Sequence, residues 1–477
     1  MKTQLLIMLC LIPFYTRAQK GNYMGCLIDD SAYNAIPRKA TYLTRDYSIM
    51  PTSYSLKQYC PYPRGQGNNG TCTAWATAYA ARTIAEAVEN KWVNRTQITA
   101  EAFSPSFIYA RSRDDHENCQ SGSFIEKSLA IMKNEGVVKF SRFSDDCVSF
   151  VPEALMQEAK QYRIAGYMTL FNFASSYAVK INETKQAISQ NKPVIIAIIC
   201  YNSFLQTGEI WDGSADHYRG YHAVCVIGYD DNKNGGSFQV MNSWGEKWGK
   251  EGFAWVSYDD YYKNVNYAYV MDVRGNFFAD AKKPEPIQPK PGPFFEQTKS
   301  INLKGELHFK LSTGEEMQPL FYSTNTIPYY RMTGEYISGT RYRIYISNDE
   351  PAYVYVIGSD LRKSANLVFP PDEKISPALI YRSNTIAIPD EEWYIEMDNN
   401  VGTDYVCVLY SAKELPIHDI VRKMKNAPGS FYDKVKTALS TDIVPLQEIR
   451  YTSNSIRFSV SGTRKTIVPV IAEITHK

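Results

Sequence analysis

Histidine is scarce in this 477-residue sequence, with six residues in all. No HExxH pair occurs, no close Cys or His pairs have zinc spacing, and no glycine-rich loop of the phosphate-cradling kind is present, so neither a metal nor a nucleotide cofactor is expected. The acidic run at 230–236 lacks the closing glutamate of a calcium loop and reads as a hairpin turn. Charge of one sign is not concentrated anywhere: 52 Lys and Arg stand against 50 Asp and Glu. A nucleic-acid partner would call for a clustered basic face and is not expected. Internal repeats are absent. No stretch after the first eighteen residues is apolar for long enough to span a membrane, which predicts a mature chain that is soluble or held at a surface by a partner.

What is present begins at the N-terminus. Lys2, the apolar run 5–14 and Thr16-Arg17-Ala18 have the three-part form of a secretory signal cleaved after residue 18. That apolar run is about ten residues long, where a spanning helix needs about twenty. The mature protein is therefore expected in the periplasm, at the cell surface or outside the cell. Of nine cysteines, Cys10 leaves with the signal, and eight remain in a compartment that permits disulfides. A Cys26–Cys60 bridge would tie an N-terminal arm, residues 19–49, to the body, but spacing alone does not decide it. The sequence KKPEPIQPKPGP at 282–293 is a semi-rigid spacer. It lies within a linker, 276–299, that separates a domain at 50–275 from one at 300–477.

In the first domain, residues 74–88 carry apolar side chains at helical spacing, and a second helical stretch from 124 closes at Gly136. Runs at 194–199, 222–229 and 238–242 then read as buried strands. Helices followed by strands imply an α+β arrangement of two unlike lobes with a cleft between them. The second domain is strand-rich, in keeping with the 36 tyrosines of the chain. YRIYISN, AYVYVIG, NTIAIP and DYVCVLY alternate and are separated by turn residues, which predicts a β-sandwich-like domain with a helical insert at 418–439.

The segment with most chemical content is Gln66-Gly67-Asn68-Asn69-Gly70-Thr71-Cys72, which runs into the alanine-rich helix. A cysteine at a helix N-terminus faces the positive end of the dipole and unpaired amides, which favour a thiolate. Such a nucleophile needs an imidazole to carry its proton and a third group to orient the ring. His222 opens one predicted strand and Asn242 ends another twenty residues on. His217, the nearest rival, lies in a polar loop. His116, His308, His418 and His476 have no partner pattern and read as surface residues. Cys200, Cys225 and Cys407, inside apolar strands, read as inert core thiols.

Gln66 six residues before Cys72, the HAV strand at His222, and Asn242-Ser243-Trp244-Gly245, followed by Trp248-Gly249 and Glu251-Gly252-Phe253, resemble the papain-like cysteine peptidases over about residues 50–275. The resemblance implies Cys72 as nucleophile, His222 as base and Asn242 as its orienting group. It implies an oxyanion hole from Gln66 and the Cys72 amide, with Trp244 shielding the His222–Asn242 hydrogen bond. It further implies that Gly122 and Ser123 bind substrate backbone, with Ala223 beside the base. Two departures stand out. Thr73 occupies the place of the family's tryptophan after the nucleophile, and Asn69 that of a disulfide cysteine. With that cysteine absent, Cys119 is expected to pair with Cys147. The family's long inhibitory pro-segment is missing, so any latency must come from the short N-terminal stretch, the C-terminal domain or a separate inhibitor. The second domain resembles, loosely, a β-rich module of uncharacterised function on exported bacterial enzymes. It is expected to bind a protein or cell-envelope component, since no nucleophile with a base at usable spacing is apparent. The resulting expectation is an exported cysteine endopeptidase acting on proteins or peptides through a thioester acyl-enzyme, without cofactor. A papain-shaped protein that only binds peptides, or an acyl transferase with the same triad, would present the same residues.

Overall fold

The computed structural model describes residues 24–40, 50–273 and 301–477, apart from 115–118, 145, 146, 148, 149, 325, 326, 361–364, 383, 392, 440 and 441. The signal at 1–18, the spacer at 276–299 and His116 lie outside the described residues.

In the first domain the alanine-rich run forms a continuous helix over 72–90, which widens into π-type turns at Trp75–Arg82. Almost every side chain of its first three turns is buried, so it is a core helix rather than an amphipathic surface one. The helix Ile125–Asn134 ends where Gly136 takes φ +94°; a Cβ there would meet the Ala159 carbonyl at 1.8 Å. Pro105–Ser112, with proline in its first turn and Ser104 capping Phe107 N–H, completes the helical side.

On the other side, Val194–Tyr201 lies between Tyr218–Asp230 and Val265–Asp272. The long strand Tyr218–Asp230 also pairs with Ser237–Met241, which continues to Phe253–Ser257. Val194–Tyr201 is buried almost throughout because helix and sheet cover both its faces, which explains its unbroken apolar run. An α+β arrangement of a helical side and a sheet side is the result. The second domain stacks a six-stranded sheet on a seven-stranded one. Tyr410, from the second sheet, crosses to donate to the Ser347 carbonyl of the first at 2.9 Å. The insert forms two helices, Ile417–Asn426 and Phe431–Leu439.

His476 departs from the surface position expected of it. It ends the strand Ile467–His476, pairs with Gly402 and is buried, its ring lying between Ser338 Oγ at 3.0 Å and Asp404 at 3.2 Å. The order Ser, His, Asp has the outline of a hydrolytic triad. The turn amides beside Ser338 are already engaged, Gly339 N–H with the Met397 carbonyl and Thr340 N–H with Ile337, so that turn offers no oxyanion donor from them. The trio pins the C-terminal strand to a hairpin.

Candidate active site at the lobe boundary

The loop before the helix is laced to the loop after Asn242. Gln66 N–H donates to the Ser243 carbonyl at 2.7 Å, Gly245 N–H to Arg64, and Gly65 pairs with Trp244. These backbone bonds carry the start of the helix to the end of the strand Ser237–Met241, beside Asn242; His222 lies inside the neighbouring strand Tyr218–Asp230.

Asn242 Oδ1 accepts from Ser243 N–H at 2.7 Å and lies 2.7 Å from His222 Nε2. An oxygen that already accepts an amide proton can only accept from the ring, so Nε2 carries the proton of the neutral imidazole. Nδ1 is left as the acceptor nitrogen, buried and with no hydrogen-bond partner. Trp244 stacks on the ring at 4.3 Å and 26°, inside a cluster with Phe204 and Trp248. The backbone amides of the next residue, Ala223, and of Gly25, Thr73 and Cys72 itself stabilise the Cys72 thiolate. Gln66 is buried; its Oε1 accepts from Ser243 Oγ at 2.6 Å and its Nε2 donates to the Asn69 carbonyl at 2.7 Å. Thr73, in place of the expected tryptophan, is fully buried and hydrogen-bonds Ser123 Oγ.

Cys72 does not have the lowered pKa expected of a helix N-terminus. Burial pushes the thiol up to about 11, and the four amides offset only part of that rise. Burial likewise lowers His222 to about 4, against the opposing pull of Asn242. Thiol and imidazole are thus both neutral at neutral pH, and the reason is what covers them. Residues 24–27 lie across the lobe boundary. Cys26–Leu27 pairs in parallel with Ser123–Phe124 on one side, and Cys26 pairs antiparallel with Tyr221 on the other. The Gly25 carbonyl accepts from Ser123 N–H at 2.9 Å. Gly25, Gly70 and Gly122 meet backbone to backbone: a Cβ on Gly25 would lie 2.1 Å from the Gly70 oxygen, and one on Gly122 2.8 Å from the Gly25 oxygen. Cys72 has no exposed surface as a result.

Gly122 and Ser123, expected to hold a substrate's backbone, therefore hold the chain's own arm. The arm was missed as a cleft occupant because it pairs through its backbone and bears no motif. A Cys26–Cys60 bridge is not formed: both thiols are free and buried, Cys26 at the lobe boundary and Cys60 beside Leu56. Cys119 and Cys147 are bridged, with Cα atoms 5.7 Å apart. Cys200, Cys225 and Cys407 are free and buried. His217 is exposed. Among the described residues no cluster of His, Cys, Asp or Glu has the grouping of a metal site.

The model of the papain family of cysteine proteases matches residues 51–271, and a domain of unknown function matches 335–414. An uncharacterized peptidase C1-like protein of Acanthamoeba polyphaga mimivirus is 28% identical over 47% of this chain and 72% of its own length. Cathepsin K of Mus musculus is 26% identical over 42% of this chain and 57% of its own. Xylellain, a cysteine protease from Xylella fastidiosa, is 22% identical, with a TM-score of 0.44 over 53% of this chain and 96% of that one. Over residues 51–271 this chain is similar to the papain family of cysteine proteases.

Proposed function

We propose that the mature protein is an exported cysteine endopeptidase in which Cys72, His222 and Asn242 form the catalytic triad. The observation that carries the reading is the state of His222. Its Nε2 proton is tied to Asn242 under Trp244, its Nδ1 is left to accept a proton, and the amide of the adjoining Ala223 stabilises the Cys72 thiolate. In the proposed cycle the thiol proton passes to Nδ1 as sulfur bonds to the scissile carbonyl carbon. The carbonyl oxygen takes the negative charge beside the Cys72 amide and Gln66. The C–N bond then breaks, His222 protonates the leaving amine, and a thioester remains. Water, deprotonated by His222, cleaves the thioester to release the acid. Gln66 must first turn its Nε2 away from Asn69.

Export is supported by the three-part N-terminal sequence and by the Cys119–Cys147 bridge, which suits an oxidising compartment. The boundaries 1–18, 19–49, 50–275, 276–299 and 300–477 are kept as the proposed division, with the last domain binding a protein or envelope component.

The test is trapping of the acyl-enzyme. A peptide thioester incubated with a Gly25→Val chain, whose new side chain cannot fit against Gly70, should leave a mass increment on Cys72 that hydroxylamine removes. Cys72→Ser should show neither increment nor turnover. A folded Gly25→Val chain that neither traps acyl groups nor cleaves peptides would sink the reading. Accumulation of amine adducts with no free acid would move it to acyl transfer.

A further inference from the structure

Residues 24–40 do more than cross the cleft. After the strand Cys26–Leu27, the helix Asp30–Ala35 is capped by Asp29 Oδ1 accepting from Ala32 N–H at 2.9 Å. It plants Tyr33 in the sheet. That ring is 1% exposed, packs against Phe173, Tyr267 and Tyr269, and its hydroxyl donates to the Phe171 carbonyl at 2.8 Å. Beyond the helix the arm becomes extended, and Arg38 pairs on two sides. Toward the peptidase domain it pairs with Thr169: Lys39 N–H donates to the Thr169 carbonyl at 3.0 Å and Thr169 N–H to the Pro37 carbonyl at 3.3 Å. Toward the second domain it pairs with Ile375: Arg38 N–H donates to the Lys374 carbonyl at 2.7 Å, and Ser376 N–H to the Arg38 carbonyl at 2.8 Å.

Lys39 repeats this double attachment with its side chain. It forms a buried ion pair with Glu183 of the peptidase domain, and its ammonium lies 5.0 Å over the ring of Tyr381 in the second domain. Beside this junction the two domains are not closely packed. A cavity of about 550 Å³ lies there, lined by Ala32 and Pro37 of the arm, Lys133 and Asp272 of the peptidase domain, and Tyr353 and Glu414 of the second domain. Among the described residues, the backbone hydrogen bonds that join the two domains are those of Arg38.

Residues 24–27 cover Cys72, and we infer that the C-terminal domain is the clamp that keeps the arm 24–40 in the cleft. An extended segment held only by the peptidase sheet edge at Thr169 would leave by fraying from that edge. The Lys374–Ser376 edge covers its other side, so full withdrawal of the arm requires the second domain to release Arg38 as well. The regulated step is therefore separation of the two domains at 374–376, and the cavity beside it marks where the junction yields. The inference rests on Cys72 being the nucleophile proposed above.

The experiment measures the rate at which a peptidyl epoxide alkylates Cys72 in full-length chains, with mass spectrometry locating the adduct. The unaltered chain should react slowly. Gly25→Val, which ejects the arm directly, should react fastest. Arg38→Pro removes the N–H given to Lys374, and Ser376→Pro removes the N–H given to Arg38. Each should raise the rate about fivefold to tenfold over the unaltered chain, since one hydrogen bond is lost from the closed state. Hydrogen exchange of the same chains should show protection lost at Ser123 N–H and across 24–40 in proportion. If Gly25→Val reacts fast while both clamp variants react and exchange like the unaltered chain, the C-terminal domain is no clamp and the inference falls. An unaltered chain that reacts as fast as Gly25→Val would show that the arm does not hold the cleft. A uniformly slow set, Gly25→Val included, would instead strike at the activated thiol and hence at the proposed function.

Discussion

At the scale of single residues, the decisive feature is that water is excluded from two groups whose chemistry depends on charge. His222, fully buried, is lowered to about 4 from the ordinary 6.5 because burial opposes the imidazolium. The sign follows from proton counting. Between pH 6.5 and 4 the unfolded chain binds a proton that the folded chain refuses, so stability is full above 6.5 and is lost as pH falls toward 4. The loss is about 1.4 kcal/mol for each pH unit of that window. Urea unfolding of the native chain and of His222→Gln should therefore diverge on acidification. The native chain should lose about 2 kcal/mol more than the variant between pH 6.5 and 5. Parallel curves would mean that His222 is hydrated in the folded state. Gln66, Cys72, His222, Asn242 and Trp244 were all legible in the sequence, because each sits in a short contiguous motif. Their protonation state was not, since it is imposed by burial that only the fold creates, from the arm over Cys72 and from the Trp244 and Phe204 rings beside His222.

At the scale of elements, helices and strands with a strong apolar period were readable to within a few residues. The runs at 74–88 and 194–199 became 72–90 and Val194–Tyr201. The arm was not readable, because two residues of strand, six of helix and a single bridging residue leave no periodic signature. What anchors it is visible only in the fold, above all the ion pair of Lys39 with Glu183, each side chain 1% exposed. Removing the cation from a buried carboxylate typically costs about 3–5 kcal/mol, whereas replacing both partners by apolar groups is often close to neutral. Lys39→Met alone should accordingly destabilise the chain by that order in urea, and Lys39→Met with Glu183→Leu should restore most of the loss. A double variant as unstable as the single one would mean that the pair is not what holds the arm at that point.

At the scale of the whole molecule, the proposed division into two domains rests on composition, since the proline-rich run stands between a helix-then-strand sequence and a train of alternating strands. That the domains would be joined by a segment preceding both could not be inferred. Arg38 lies far in sequence from Thr169 and farther from Ile375, and its pairing uses only backbone groups, which every residue but proline supplies alike. Buried residues of both parts of the chain belong to one continuous hydrophobic cluster, and the ladder at Arg38 adds backbone coupling between them. Each backbone hydrogen bond across the junction contributes about 1 kcal/mol net. Loss of one should lower the melting temperature of the less stable domain by ~2–4 °C, a range typical of domains this size. Scanning calorimetry of the Ser376→Pro chain should show the lower transition displaced by that amount and the upper one unmoved, so that the two separate further than in the unaltered chain. If both transitions moved together, the substitution would be acting within the core of the C-terminal domain and from there on the whole assembly. If neither moved, the Arg38 ladder would carry no coupling, and the two domains would melt as independent bodies.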